Sequence, residues 1–449
     1  MDTDKSKQIS NFRFQIRNIK SAFIYIYLRR IEILRFCTNA RLSLIIFLKF
    51  NNYFTLPFYE NYGAEVLILP KSTATRQRST TTTNRDSANG SNKTASEVSD
   101  KIDQIVTDKV DVEQAKAEYQ KRKKTQRNLI KQTDQELLRE MLFQMVLGRR
   151  FEEKCAEVYR TGKIGGFCHL YIGQEAIATG MLTALRPDDM VIASYRSHVQ
   201  AMIKGIAPEQ VLAELYGKAT GAVKGKGGSM HMFSKEREFY GGHGIVGGQI
   251  GVATGMAFAA KYKKTEQVTL CFFGEAAVNQ GIFHESLNMA QLWKLPCIYI
   301  CENNIYGMGT SQARAMSISS VARKAESYGI ANEFVDGMDV MAVRDATLKA
   351  IERARKESLP TLLEIRTYRF MGHSMSDPGK YRTSEEIKKY QERDPIVLFR
   401  ESLTEAKVIS DKDYTEIEAR AKETVEKAIR FAEESPFPDA KELFSDVYA

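Results

Sequence analysis

The 449-residue sequence contains no C-x-x-C pair; its six cysteines stand apart at positions 37, 155, 168, 271, 297 and 301. Thiols scattered in this way exclude a disulfide framework, argue against a structural zinc centre and favour a reducing compartment. A convincing membrane span is also missing. Residues 239–260 are uncharged over the roughly 20 positions a spanning helix needs. That stretch, however, holds seven glycines with His243 and Gln249, which suits a packed loop and a helix start. The main body has no net charge. Residues 1–124, with 22 basic and 13 acidic side chains, carry the whole formal +9 of the chain, so the basic balance gives no reason to expect nucleic-acid binding by the rest. There is no internal repeat. Lys224-Gly-Lys-Gly-Gly228 resembles a phosphate loop but lacks the G-x-x-x-x-G-K-[ST] spacing, and reads as a packed turn.

With 43% hydrophobic and 27% charged residues the chain is not wholly disordered. Three segments are expected. Residues 1–71 form a basic, apolar extension: between Asn11 and Tyr59 the one acid, Glu32, faces eight Lys and Arg. This extension reads as a transit peptide, as a membrane-surface segment or, most plainly, as a poorly selected extension or mis-set start, although the next methionine is Met141. Residues 72–124 read as a disordered Ser/Thr-rich linker. Residues 125–449 form the main domain, opened by a helix whose apolar stripe runs through Leu138, Met141, Leu142 and Met145.

The middle of the domain alternates strand and helix. Strands are expected at 268–273, 297–301 and 361–366, with a helix over 277–292. This is the grammar of an α/β fold with a parallel sheet and helices on both faces. Two of these strands run into Gly274-Glu275 and Glu302-Asn303-Asn304. In a parallel sheet both ends lie on one edge, where ligands of open α/β sheets sit. A carboxylate, an amide oxygen and a nearby carbonyl suit Mg²⁺ with phosphate oxygens, and the helix after Gly274 would offer its N-terminus to a phosphate. Taken alone, Gly-Glu and Asn-Asn are ordinary turn residues.

The wider text decides between these readings. Gly166-Phe-Cys-His-Leu170, Ser194-Tyr-Arg-Ser-His198, Lys224-Gly-Lys-Gly-Gly-Ser-Met-His-Met232, Gly242-His-Gly-Ile-Val-Gly247, Leu292-Trp-Lys-Leu-Pro296, Glu302-Asn-Asn-Ile-Tyr-Gly-Met-Gly-Thr310 and Gly372-His-Ser-Met-Ser-Asp-Pro-Gly379 occur in order. From about residue 134 onward the chain resembles the alpha subunits of thiamine-diphosphate-dependent 2-oxo acid dehydrogenases, the pyruvate dehydrogenase first component above all. The resemblance implies the thiamine-diphosphate-binding fold. It also implies Mg²⁺ on Glu275, Asn304 and the carbonyl of Tyr306, and backbone from Gly274, Ala276 and Ala277 around the diphosphate. Tyr195, Arg196, Arg369 and His373 would hold the diphosphate or flank the reacting centre. Gly244 and Val246 would touch the pyrimidine ring, Met308 would bend the cofactor, and His169, with His373, would serve catalysis. The sequence departs from the pattern in three places: Glu275 for an aspartate, Ala276 for a glycine, and Met371 where relatives often carry histidine. Cys168, beside His169, reads as packing rather than as a nucleophile.

The resemblance further implies oxidative decarboxylation of pyruvate and transfer of the acyl group to the lipoyl arm of a dihydrolipoyl acetyltransferase core. The carboxylate that faces the aminopyrimidine would come from a separate beta subunit, in an α₂β₂ heterotetramer. Acetoin and branched-chain 2-oxo acid enzymes share the pattern, and an inactive scaffold paralogue is the non-enzymatic alternative. A bacterial cytoplasm is expected, with the mitochondrial matrix as the other setting.

Overall fold

A computed structural model describes residues 123–446 and, within the first seventy, five strands. These strands, β1 (Ile26–Leu28), β2 (Ile31–Thr38), β3 (Arg41–Phe50), β4 (Tyr53–Tyr59) and β5 (Ala64–Leu69), pair antiparallel in chain order. The rest of the expected extension lies outside the described residues. So does the expected linker, apart from residues 123 and 124, which are already helical.

The second unit is built on a six-stranded sheet in which every neighbouring pair is parallel. After a helical stretch over residues 123–132 come α1 (Gln135–Arg160), α2 (Glu175–Leu182), β6 (Met190–Ser194), α3 (His198–Ile203), α4 (Pro208–Leu215), β7 (Phe239–His243) and α5 (Gly248–Lys263). There follow β8 (Thr269–Gly274), α6 (Gly281–Leu292), β9 (Cys297–Asn303), the short pair β10 (Tyr306–Gly307) and β11 (Thr310–Ser311), β12 (Ala331–Asp336), α7 (Val340–Glu357) and β13 (Thr361–Arg366). Then come α8 (Ser384–Gln391), α9 (Pro395–Glu405), α10 (Asp411–Glu434) and a 3-10 turn at Ala440–Phe444. The sheet order is β12-β13-β9-β8-β6-β7. β13 occupies the span expected for it, and the strands expected at 268–273 and 297–301 differ by one or two residues.

Side chains alternate across each strand, so a buried parallel strand must be apolar on both faces. Leu270, Phe272, Ile298, Ile300, Leu363 and Ile365 enter one core with α1, α2, α7 and α10. Cys271, Phe273, Cys297, Tyr299 and Cys301 enter the other, against Ile250, Ala253 and Ala257 of α5 and Phe283, Leu287 and Ala290 of α6. The five cysteines whose side chains are described are unpaired and buried.

Helix α1 begins where Asp134 accepts the amide of Leu137, a side-chain cap at 3.0 Å. Its inward Arg149 sits between Glu175 of α2 (2.6 Å) and Asp394 ahead of α9 (2.8 Å), locking three segments together. Helix α10 opens with a Ser410/Asp413 capping box. The uncharged stretch 239–260 divides into a strand, β7, and most of helix α5. Among the described residues no helix is long and apolar enough to cross a membrane.

One expectation needs correction. The helix read over 277–292 begins only at Gly281; residues Glu275–Asn279 form a separate 3-10 turn. Gln280 breaks the two with an extended backbone (φ −77°, ψ 141°), so the group that meets any ligand at Gly274 is a short turn rather than an α-helix N-terminus.

Candidate functional site

Because all six strands run the same way, their carboxyl ends converge on one edge. Five of them deliver the expected residues there. β6 leads to Tyr195 and Arg196, β7 to Gly244 and Val246, and β8 to Glu275, Ala276 and Ala277. β9 leads to Asn304, Tyr306 and Met308, and β13 to Arg369 and His373. The fourteen residues singled out from the sequence, these together with Gly274 and His169, all line a single cavity of about 720 Å³.

His169 comes from no strand. It lies in the segment between α1 and α2, which is pinned at successive points. Cys168 O accepts the amide of Met375 (2.9 Å), Leu170 O accepts Arg196 Nη1 (2.7 Å), the Tyr171 amide donates to Glu152 (3.2 Å), and Ile172 O accepts the amide of Phe370 (3.0 Å). Gly173 ends the segment with φ +99°, and a Cβ there would lie 2.4 Å from the Tyr368 carbonyl, so only glycine fits. The Cys168 thiol is buried and pushed up to about 12 by that burial, which agrees with packing and not with a nucleophile.

Glu275 is 2% exposed, and its Oε1 has no hydrogen-bond partner. Burial raises its pKa against smaller lowering contributions from its own backbone amide and from Arg369. Next to it, Asn304 donates Nδ2–H to Gln174 Oε1 (2.9 Å), which fixes the amide orientation and turns Oδ1 toward the Tyr306 amide and Arg369 Nη1, both at 3.4 Å. The Tyr306 carbonyl accepts a second long bond from Arg369, also 3.4 Å. A buried carboxylate oxygen with no partner, an amide oxygen and a carbonyl with only long bonds make an acceptor-rich corner of the kind that suits a hard cation.

The turn that presents them is strained. Ile305 and Met308 have φ of +78° and +59°, a left-handed region that costs a β-branched residue of order 1–3 kcal/mol. Asn303 Oδ1 accepts the Ile305 amide (3.1 Å) and Ile305 O accepts that of Gln312 (2.8 Å), holding the conformation. Ala276, which replaces a glycine of the family pattern, turns its methyl toward Gly307; a Cβ on Gly307 would sit 2.5 Å from it. No heavy atom lies within 4 Å of a Cβ position on Gly274, so the backbone there is open to a ligand.

Arg196 is fully buried and ties the two histidine segments together, donating to Leu170 O and, at 2.8 Å, to His373 O. Burial and then Arg369 bring its pKa down to about 10. The rings of His169 and His373 meet edge to face at 5.1 Å, with Tyr195 at 4.4 Å from His169. Burial first, then Arg196, pushes His169 down to about 2 and His373 down to about 4, so both are neutral at pH 7. Asp377 gathers the 372–381 loop by accepting from the His373 amide (2.6 Å), the Gly379 amide (2.9 Å) and the Tyr381 hydroxyl (2.7 Å). Arg369 Nη2 also donates to Tyr381 Oη (2.8 Å).

Several cavity residues went unassigned in the sequence reading: Phe167, Gln174, Met230, Gln249, Glu302 and Asp377. Glu302 sits inside a quoted motif, but its partner Tyr171 is 131 positions away, and Gln174 meets Asn304 across 130, so spacing carried no signal. Burial pushes the Glu302 carboxyl up to about 7.

Residues 143–441 match the family described as Dehydrogenase E1 component. Similar proteins include the pyruvate dehydrogenase E1 component subunit alpha of Rickettsia felis, 50% identical over 304 residues, which cover 68% of this chain and 93% of the relative. The protein of that description from Rhizobium meliloti is 48% identical over 318 residues, covering 71% and 90%. The chloroplastic subunit alpha-3 of Oryza sativa subsp. japonica is 45% identical over 319 residues, covering 69% and 75%.

Proposed function

The chain belongs to the dehydrogenase E1 component family, and from that premise we propose that it is the alpha subunit of a pyruvate dehydrogenase. It is an oxidoreductase subunit that, with thiamine diphosphate, decarboxylates pyruvate and passes the acyl group to the lipoyl group of a dihydrolipoyl acyltransferase. The names of the relatives favour pyruvate over acetoin or a branched-chain 2-oxo acid, and the filled set of site residues speaks against an inactive scaffold. The observation that carries the reading is the convergence of all fourteen expected residues on one cavity at the carboxyl edge of the sheet.

The residues fit the cofactor and its metal. Glu275 Oε1, Asn304 Oδ1 and the Tyr306 carbonyl would hold Mg²⁺, each being an oxygen with no partner or only long bonds. When bound, thiamine diphosphate supplies the nucleophilic carbon and the electron sink for decarboxylation. The chain's own contribution is placement. Gly274, Ala276 and Ala277 offer backbone to the diphosphate, and Gly244 and Val246 border the ring. Met308, 63% exposed at the mouth, is free to press on the cofactor. Tyr195, Arg196 and Arg369 supply hydroxyl and positive charge beside the phosphates. His169 and His373, neutral at pH 7, can each donate or accept one proton at the reacting centre; the Nδ1 of each is buried without a partner.

Val246 and Met308, which line the cavity, and Ile245, next to Val246 in the chain, are all exposed and apolar. Exposed apolar side chains of this kind support a partner that covers them, here a beta subunit in an α₂β₂ assembly docked on an acetyltransferase core. A bacterial cytoplasm is the proposed setting.

The test is calorimetric titration of thiamine diphosphate with Mg²⁺ into the chain co-expressed with its beta partner, followed by acyl transfer from pyruvate to a lipoyl domain. Metal-dependent binding and turnover of pyruvate are expected. An assembled complex that binds no cofactor, or that turns over acetoin or branched-chain 2-oxo acids in preference, would sink the reading.

A further inference from the structure

The glycine-rich turn Lys224-Gly-Lys-Gly-Gly228, which has the look of a phosphate loop without its spacing, closes around a carboxylate of the chain itself. Glu214, in the last turn of α4, is fully buried. Its Oε2 accepts the amides of Val223 (2.9 Å) and Gly225 (2.8 Å), and its Oε1 those of Gly227 (2.7 Å) and Gly228 (3.1 Å). The glycines are what let the backbone come this close. A Cβ on Gly221 would meet Glu214 Oε2 at 2.4 Å, one on Gly225 would meet the Gly217 carbonyl carbon at 2.5 Å, and one on Gly227 the His231 carbonyl at 2.2 Å. No ion pair of Glu214 occurs among the described residues; the turn's own lysines, Lys224 and Lys226, pair with Asp446 instead. Four aligned N–H dipoles in a low-dielectric interior take the place of a cation.

The turn leads directly into the site. Ser229 holds His198 Nε2 through its hydroxyl (3.0 Å) and carbonyl (3.2 Å). His198 Nδ1 is 3.0 Å from Glu152 Oε2, and Glu152 Oε1 accepts the Tyr171 amide (3.2 Å), two residues beyond His169. Met230, the next residue of the turn, is part of the cavity wall.

We infer that Glu214 is a positioning residue: an internal carboxylate that occupies the anion seat of a glycine-rich nest, shapes one wall of the cavity before any ligand arrives, and through Ser229, His198 and Glu152 sets the backbone that carries His169. The inference rests on the functional reading above only in taking this cavity as the active site. A free anion is not the occupant of the nest, because the chain already fills it.

The experiment uses the αβ complex and two variants. Glu214→Gln keeps the volume but presents N–H to N–H across part of the nest. It should raise hydrogen exchange at Val223, Gly225, Gly227 and Gly228 by about tenfold or more while the sheet stays protected. The thiamine diphosphate concentration giving half-maximal activity should rise about tenfold as well, beyond what loosening a remote surface turn would do. Glu214→Ala leaves four donors around a carboxylate-sized gap, and acetate, but not chloride, should restore both protection and cofactor affinity. Exchange in Glu214→Gln within about twofold of wild type, raised exchange with unaltered cofactor response, or a folded Glu214→Ala indifferent to acetate would each overturn the assignment. A wild-type complex without turnover would fail the functional reading alone, since exchange and its rescue by acetate are read without substrate.

Discussion

Replacing Glu275 by glutamine should move stability in opposite directions with and without ligand. The carboxylate is 2% exposed, one oxygen has no partner, and burial outweighs the pull of its backbone amide and Arg369, so its pKa is raised. A raised folded-state pKa means that the folded protein binds the proton more tightly than the unfolded chain. Stability is therefore lost as pH rises out of the ordinary glutamate range, so the buried acid works against folding at neutral pH. A neutral isostere removes that charge, although an amide atom left without a partner keeps part of the cost. The ligand-free protein should gain about 1–2 kcal/mol. With Mg²⁺ and thiamine diphosphate at about 100 times their dissociation constant, the wild type should gain about 2.7 kcal/mol by mass action. The variant, lacking its anionic ligand, should gain little. Urea unfolding of the complex at pH 7, with and without metal and cofactor, reads both changes. A ligand-free variant less stable than wild type would refute the account of Glu275 as an uncompensated buried charge. A variant that keeps the full ligand-dependent gain would refute the proposal that Glu275 is a metal ligand.

Three further outcomes follow from the same geometry. Gly307→Ala should cost about 1–3 kcal/mol and weaken cofactor binding, because its Cβ would lie 2.5 Å from that of Ala276. Adding Ala276→Gly should recover most of the loss in a double-mutant cycle, and strict additivity would disprove the contact. The histidines provide a pH test. With His373 at about 4 and His169 at about 2, both below the ordinary value near 6.5, the unfolded chain binds more protons over that window. Stability is thus full above about pH 6.5 and falls as pH drops toward 4. Ring chemical shifts that titrate near 6.5 for either residue in the folded protein would contradict this. Arg149→Met should destabilise by about 3–5 kcal/mol, since it strands Glu175 and Asp394, both within 2.8 Å of the guanidinium, without their partner; a cost under about 1 kcal/mol in urea unfolding would remove the clasp from the account.

Legibility followed burial. Strands β8, β9 and β13 are buried on both faces, so they read as unbroken apolar runs, and the polar residues that end them mark where a ligand edge begins. Helix α1 showed its apolar stripe because one face is buried and the other wet. The short pieces were not visible: β7 contributes two glycines in five residues, and β12 is exposed along much of its length, so neither carries a marked pattern. The break at Gln280 between the 3-10 turn and α6 is marked only by its neighbours Asn279 and Gly281, weak helix formers that an apolar pattern over 277–292 passes over.

By itself, the sequence placed glycines, acids and amides at strand ends, and the resemblance of its motifs to a family named fourteen residues that prove to line one cavity. Only the tertiary structure decided how they are held. The order β12-β13-β9-β8-β6-β7 brings five strand ends together. Gln174 orients Asn304 from 130 residues away, Arg196 spans Leu170 and His373, and Glu214 fills a nest that its own motif does not name. Each of these is a hydrogen bond satisfied at long range inside a dry interior. A one-dimensional pattern carries no record of which distant donor will settle on which buried acceptor.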